Sequence, residues 1–441
     1  MKAAFHTLGC KVNAYETEAM KQQLKEKGYE IVPFQEKADV YIINTCTVTN
    51  IADRKSRQML HKAKKMNPKA LVVATGCYAQ TKGEELQKDE AIDLVIGNNR
   101  KKDLIRILKE YEAGRVEDTL IDINQTREYE ALSIESTREH TRGFIKVQDG
   151  CNQFCTYCMI PFARGRVRSR RPEDVEKEVR LLAASGCREV VLSGIHLSSY
   201  GVDLEEGTDL LTLIRRIHSV DGIARIRLGS LEPGIITEAF ADALVSLPKV
   251  CPHFHLSLQS GCDATLKRMN RRYRAGEYRE KCAILRKVYE DPALTTDVIT
   301  GFPGETAEDF EASRAFVEEI AFFETHIFPY SRREGTKAAA FPDQLTEAVK
   351  KERSRVLLEL DAKRRREYLS RAIGRPCEVL FEERIEWEGN TYWCGHTREY
   401  RRILLASEEN LENCLIPVKP VSLAGGEQLL AERLAFTAEM L

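Results

Sequence analysis

Apolar and polar positions alternate in two distinct series along the chain. In the first ~110 residues, short apolar runs are separated by stretches of helical period, the pattern of a parallel α/β unit. "AAFHTLG" reads as a strand, and "YETEAMKQQLKEKGYE" as an amphipathic helix closed by Gly28. "ADVYIINT" reads as a buried strand, followed by a basic helix from about Ile51 to Met66 and a further strand, "ALVVATG". "AIDLVIGN" and the helix "KKDLIRILKEYEAG" complete this series. The polar stretch from Asp122 to His140 has little periodicity and reads as a linker.

A second βα series starts at Gly143, with strand candidates "GFIKVQD", "REVVLSGI", "ARIRLGSL", "HFHLSLQSG", "TTDVITGF" and "THIFPYS". Six units are too few for a closed eight-fold barrel, so an open partial barrel is expected. A long charged helix, from about Gln344 to Arg371, leads out of it. The short strand-like pieces beyond Gly374 suit a small β-barrel. The expected fold class is therefore α/β: an N-terminal open parallel domain over 1–115, a linker over 116–136, a central barrel over 137–368 and a small β-barrel over 369–438.

Composition narrows the chemistry. The chain has 441 residues, 43% hydrophobic and 31% charged, with a formal net charge of −1, so any nucleic-acid contact must come from local patches. Thirteen cysteines, an odd number, argue against a full set of disulfides. The first residues lack a signal-peptide apolar core, and no apolar run is long enough to span a bilayer. A soluble protein of the reducing cytoplasm is expected, where clustered thiols serve as metal ligands or catalysts.

"KVQDGCNQFCTYCMIPFARG" places Cys151, Cys155 and Cys158 in CxxxCxxC spacing directly after a strand. Zinc ribbons use two CxxC pairs and four ligands. Three close cysteines point instead to a 4Fe–4S cubane with one iron left open for a small ligand. A zinc site completed by a distant Cys or His is the competing reading.

This motif on a partial βα barrel, with Tyr157 before its last cysteine, resembles the radical S-adenosylmethionine enzymes. The resemblance implies that the open iron chelates S-adenosylmethionine and that one electron cleaves it to methionine and a 5′-deoxyadenosyl radical. It also implies cofactor contacts from Tyr157 and from later strand ends: Gly194, Ser230, Glu232, Ser257, Gln259 and Asp297. By themselves Gly301 and Gly304 read as a turn, and Glu232 as a solvated or helix-capping acid.

Three further cysteines share one topological position. Cys10, Cys46 ("IINTCTVT") and Cys77 ("VVATGCYAQ") each follow a strand of the first series. In an open parallel sheet these carboxyl ends lie along one edge, where ligands bind. Each alone reads as a small buried hydrophobe; their recurrence points to a second three-thiolate site.

The whole layout resembles the methylthiotransferases, marked by "TLGCKVN", "NTCTV", "TGCYAQ", "DGCNQFCTYC" and "FPYSRREGTKA". The resemblance implies two 4Fe–4S clusters and S-adenosylmethionine in two roles, methyl donor and radical source. Cluster 1, on Cys10, Cys46 and Cys77, would carry the sulfur to be delivered; cluster 2, on Cys151, Cys155 and Cys158, would bind S-adenosylmethionine. It further implies tRNA (the anticodon stem-loop), a one-electron donor such as flavodoxin or ferredoxin, and a sulfur source as partners, with no membrane. "GCKVN" followed by "YETE" is similar to the branch acting at C2 of N6-threonylcarbamoyladenosine; the isopentenyladenosine branch typically has GCQMN there, and the ribosomal-protein branch GCPKN or similar.

For RNA, "ARGRVRSRR" offers Arg164, Arg166, Arg168, Arg170 and Arg171 beside the cluster motif. Arginine at this density suits phosphate contacts; the competing reading is a solvated charge run. The C-terminal piece, similar to a TRAM domain, carries 7 Lys+Arg against 12 Asp+Glu, poor for phosphate binding unless Arg398, Arg401 and Arg402 gather on one face. Two rivals stay open: the same chemistry on another substrate (isopentenyladenosine or a protein side chain), and a non-catalytic, metal-stabilised RNA-binding protein.

Overall fold

The structure, a computed structural model, describes residues 1–115, 119–134 and 141–434. The first unit is a five-stranded parallel sheet in the order β2-β1-β3-β4-β5: β1 (Lys2–Thr7), β2 (Glu30–Val32), β3 (Val40–Thr45), β4 (Leu71–Gly76) and β5 (Leu94–Ile96). All six residues of β3 are buried, as expected of a strand covered on both faces. Two helices supply the long crossovers that parallel pairing requires, α1 (Lys11–Glu26) and α2 (Asn50–Met66). The Thr49 hydroxyl caps α2 by accepting from the Ala52 amide.

The central unit is an open barrel with parallel strands β6 (Arg142–Asp149), β8 (Glu189–Gly194), β9 (Arg225–Leu228), β10 (His253–His255), β11 (Ala293–Thr300) and β12 (Glu324–Pro329). A two-residue strand, β7 (Arg168–Ser169), pairs antiparallel with β6. Single bridges, Ile226 with Val250 and Leu231 with Leu256, join the β9 side to the β10 side. Odd positions of β6 (Ile145, Val147) enter the core beneath the surrounding helices, so even positions such as Lys146 and Gln148 face the barrel interior. The exit helix runs from Glu347 to Ser370, shorter at its start than the charge pattern predicts because Thr346 caps it. The expected linker has no regular secondary structure in its described part, 119–134, yet buries Ile123, Leu132 and Ile134. Positions 116–118 and 135–136 of it lie outside the described residues.

The last unit is a closed five-stranded barrel, β13-β14-β15-β17-β16, from β13 (Cys377–Trp387) through β14 (Asn390–Thr397), β15 (Arg402–Leu405) and β16 (Leu415–Ala424) to β17 (Gln428–Arg433). It docks against the strand starts of the central barrel. Buried Arg225 donates to the carbonyls of His396 (2.8 Å) and Glu378 (2.9 Å), and Arg142 pairs with Glu382 at 2.9 Å. Among the described residues no helix is long and apolar enough to cross a membrane.

Candidate active site

The first thiol triad is assembled by sheet register. Thr7 lies opposite Asn44, and Asn44 opposite Thr75, so β1, β3 and β4 end level and hand their cysteines to one edge. Cys10 is the N-cap of α1 and forms no disulfide. Gly9 has φ +99°, and a Cβ there would stand 2.9 Å from Cys46 Sγ, so only glycine lets this turn approach the second thiol. The amide of Asn13 donates to the carbonyls of Leu8 (2.7 Å) and Thr45 (3.0 Å), bracing the two loops together. Thr45 accepts from the Ala79 amide, tying the Cys46 strand to the short helix α3 (Cys77–Thr81). Burial raises the Cys46 thiol to about 11 and also lifts Cys10, which keeps water-accessible surface although protein crowds it closely. Such thiols release protons on binding metal.

The second triad sits in one loop after β6. Gly150 has φ +73°, and a Cβ there would strike the Arg166 carbonyl at 1.8 Å. The Cys151 amide donates to the Gly165 carbonyl (3.0 Å), closing the loop. Cys151 Sγ accepts from the Gln153 amide at 3.5 Å, and Cys158 Sγ from the Ile160 amide at 3.4 Å. Arg271 donates to Cys155 Sγ (3.3 Å) and to Glu232 (2.6 Å). Burial pushes Cys151 to about 11 and Cys158 to about 12.

The donor sets fit iron–sulfur clusters better than a single zinc. Thiolates around one tetrahedral zinc stand about 3.8 Å apart, from a Zn–S bond of ~2.3 Å. Among the described residues, neither triad brings all three Sγ atoms within 4.8 Å of one another, although all six cysteines are free thiols.

Around the second triad the structure gathers part of the expected cofactor set. Tyr157 is edge-on to Phe302, with centroids 6.3 Å apart, and both Tyr157 and Glu232 stand beside Arg271. The Ser257 carbonyl accepts from Tyr273 (2.6 Å). Gly194 closes β8, where a Cβ would meet Gln148 Oε1 at 2.9 Å. Gln259 has φ +70° and its amide donates to the Asp297 carbonyl (2.8 Å). The Asp297 carboxylate is 3.2 Å from His255 and near His326, while Ser230 is exposed. The bareness of Gly301 makes room for the Lys350 stem, since a Cβ would stand 2.4 Å from its Cγ.

The arginine run divides, which corrects its expected role. Arg164 is fully buried: it donates to Cys77 Sγ (3.2 Å), to Asn13 (2.5 Å) and to Glu16 (2.6 Å). Arg168 is buried near Asp149, and buried Arg170 pairs with Glu178. These three are not available to phosphate, because an unpaired buried cation is far costlier than one held by carboxylates. Arg166 is partly exposed over the Phe154 ring at 4.6 Å. Arg171 is exposed at a 590 Å³ depression that also borders Arg127 and Lys177. In the last barrel, Arg398 donates to the Val250 carbonyl and Arg401 pairs with Asp291, so both serve docking rather than RNA.

One charged network joins the first domain to the central barrel beside the cysteine loops. Glu16 of α1 accepts from Lys146 (2.7 Å) and Arg164 and lies 3.1 Å from Lys101; Asp149, one residue past Gln148, holds Lys146 at 2.6 Å. Burial alone would raise Glu16, but Arg164, Lys101 and Lys146 hold it well below the carboxylate range. Arg333, in "FPYSRREGTKA", reaches back to Thr47 (2.7 Å) and Asp53 (2.6 Å) beside Cys46. In the same segment the Ala338 amide donates to the Thr156 carbonyl inside the second cysteine loop. Sequence reasoning missed Asn13, Glu16, Arg271 and Arg333 as site residues; "GCKVN" and "YETE" already held the first two.

The chain is similar to known proteins over most of its length. Residues 2–97 match the Uncharacterized protein family UPF0004, and residues 145–317 the Radical SAM superfamily. The chain is 40% identical to the threonylcarbamoyladenosine tRNA methylthiotransferase MtaB of Bacillus subtilis, over 94% of this chain and 93% of that protein. It is 45% identical to the protein of that name from Aquifex aeolicus, over 87% and 93%. The chain belongs to the radical S-adenosylmethionine methylthiotransferases. A tRNA-2-methylthio-N(6)-dimethylallyladenosine synthase of a Thermoanaerobacter species is 35% identical over 94% of this chain and 88% of that protein. Among solved structures, the radical S-adenosylmethionine methyltransferase TsrM of Kitasatospora setae shares the fold, with TM-score 0.58 at 17% identity over 76% of each chain. As a methylthiotransferase, the protein uses S-adenosylmethionine and 4Fe–4S chemistry.

Proposed function

We propose that this methylthiotransferase replaces the C2 hydrogen of N6-threonylcarbamoyladenosine in the tRNA anticodon loop with a methylthio group. The observation that carries the reading is one thiol triad per domain, with buried Arg164, from the short helix that follows the second triad, donating to Cys77 of the first. Cys151, Cys155 and Cys158 would hold one cluster, and Cys10, Cys46 and Cys77 the other. When bound, a reduced cluster with S-adenosylmethionine supplies the 5′-deoxyadenosyl radical, and the other cluster, with a second S-adenosylmethionine, supplies methylated sulfur.

The residues of the chain position these groups. Arg271 holds Cys155 and Glu232 in one orientation, so the cofactor side of the loop is set before substrate arrives. Arg164 and Asn13 fix the first triad against the central barrel, and the Glu16 network keeps the domains in register. A one-electron donor such as flavodoxin or ferredoxin, a sulfur source and a cytoplasmic location belong to this reading.

The substrate choice rests on Lys11–Val12 after Cys10 and on relatives of that name at 40% and 45% identity. The dimethylallyl substrate is favoured only by relatives at lower identity, 35%. Protein reconstituted anaerobically with iron and sulfide, then reduced, is expected to convert tRNA from a strain lacking the modification. The products are the methylthio nucleoside, S-adenosylhomocysteine and 5′-deoxyadenosine, detected by mass spectrometry. Product only on dimethylallyl-bearing tRNA would move the enzyme to the other branch, and zinc without deoxyadenosine would end the enzyme reading.

A further inference from the structure

Three adjacent strands of the central barrel each turn one metal-ligating side chain to the same face. Leu294 and Val298 of β11 join the core under the surrounding helices, and Thr296 accepts from the Tyr278 hydroxyl (3.3 Å) of the helix Ala275–Val288. The alternate positions, Thr295 and Asp297, therefore face the barrel interior. His326 of β12 pairs directly opposite Asp297, and His255 of β10 opposite Thr295. His255 Nε2 stands 3.2 Å from Asp297 Oδ2, and the rings of His255 and His326 have centroids 5.7 Å apart. One ligand atom from each of the three residues lies within 4.8 Å of the other two, which no other group of three His, Cys, Asp or Glu achieves among the described residues. Nitrogen and oxygen ligands around one tetrahedral zinc stand about 3.3 Å apart, from bonds of ~2.0–2.1 Å. The ring of His255 is already oriented: its Nδ1 is 3.0 Å from Thr295 Oγ1, the kind of bond that fixes a ligating imidazole. Its Nε2 is buried and makes no hydrogen bond, a state that calls for a partner. Among the described residues Asp297 has no lysine or arginine partner to neutralise it.

We propose that His255, Asp297 and His326 form a site for one divalent transition cation of the zinc or ferrous class. Two imidazoles and a carboxylate are a donor set of that class, whereas magnesium and calcium take oxygen donors. No cysteine belongs to the group, so the site is separate from both thiol triads. His326 is exposed, and rotation of its side chain can close the remaining gap to the ion. With three protein ligands the ion keeps at least one position for water or for an oxygen of a bound molecule. Asp297, expected among the S-adenosylmethionine contacts, is thereby given to a metal instead. Nothing in this donor set depends on which nucleoside the enzyme modifies.

The test uses protein already reconstituted with iron and sulfide, so that its cluster thiols are occupied. It is dialysed anaerobically against zinc, desalted, and measured by metal analysis and zinc-edge X-ray absorption. Wild type is expected to hold about one zinc per chain with undiminished iron, in a nitrogen and oxygen shell at ~2.0–2.1 Å. His326→Gln, at an exposed position that does not endanger the fold, should weaken zinc at least about 100-fold, beyond the range of an outer-shell partner. Thr295→Val should weaken it about 10–100-fold by freeing the His255 ring, with the same shell around the ion. Full iron without retained zinc in wild type overturns the site. Zinc bound through sulfur, at ~2.3 Å, overturns it equally, because the metal then sits on thiols. Wild-type zinc affinity in His326→Gln overturns this set of ligands.

Discussion

The two thiol triads are assembled by opposite routes. Cys151, Cys155 and Cys158 belong to one loop, closed by Gly150 and by the Cys151–Gly165 backbone bond, so local sequence positions them. Cys10, Cys46 and Cys77 follow three strands whose register brings their ends to one edge of the sheet. Each triad takes one arginine from outside its own segment: Arg271 on Cys155, and Arg164, across the domain boundary, on Cys77. The arginine of the loop triad comes from its own domain, whereas that of the sheet triad comes from the docked neighbour. Changes to docking should therefore damage the first site while sparing the second.

The largest expected effect is also the least selective. Cys155→Ala should reduce 5′-deoxyadenosine formation to background, and with it methylthio transfer, measured by chromatography of quenched reactions. Cys10→Ala sharpens the contrast: S-adenosylmethionine cleavage should persist while no methylthio nucleoside forms. Full product from Cys10→Ala would break the division of labour between the triads.

Glu16→Gln tests docking. It leaves Arg164, Lys146 and Lys101 around a neutral group, and removing one partner of a buried ion network costs about 3–5 kcal/mol. A lowered urea midpoint and loss of iron from the first site ahead of the second are expected. The same network sets an acid limit. Glu16 ionises well below its ordinary 4.5 in the folded chain, so its contribution is fully present above about pH 4.5 and is lost as pH falls through the lowered value. Wild type should lose stability in that window, and Glu16→Gln should show a flatter profile there.

Arg271→Lys keeps the charge but not the fork that spans Cys155 and Glu232. Deoxyadenosine formation should fall about 10–100-fold, the usual range for a lost outer-shell partner, with both clusters still seen by electron paramagnetic resonance. Smallest of all, Arg171→Ala should lower the salt slope of tRNA binding by about one at most. An unchanged slope would remove Arg171 from the RNA surface and leave the "ARGRVRSRR" run as a packing element.

Much of the architecture was legible without coordinates. Alternating apolar runs and helical periods state the α/β unit, the six-strand open barrel and the small terminal barrel, because burial imposes those periods locally. The CxxxCxxC spacing and the placement of Cys10, Cys46 and Cys77 after strands were readable for the same reason. The fate of the charges was not. Five arginines close in sequence read as one patch, yet β7 and the helix Ile160–Arg164 turn Arg164, Arg168 and Arg170 inward to Glu16, Asp149 and Glu178. Pairing between residues more than a hundred positions apart, such as Glu16 with Arg164, is decided by domain docking, which no local period encodes. Sequence alone determined which elements form and which thiols recur. Only the tertiary structure decided which charges neutralise one another, because electrostatic partners are chosen by distance in space.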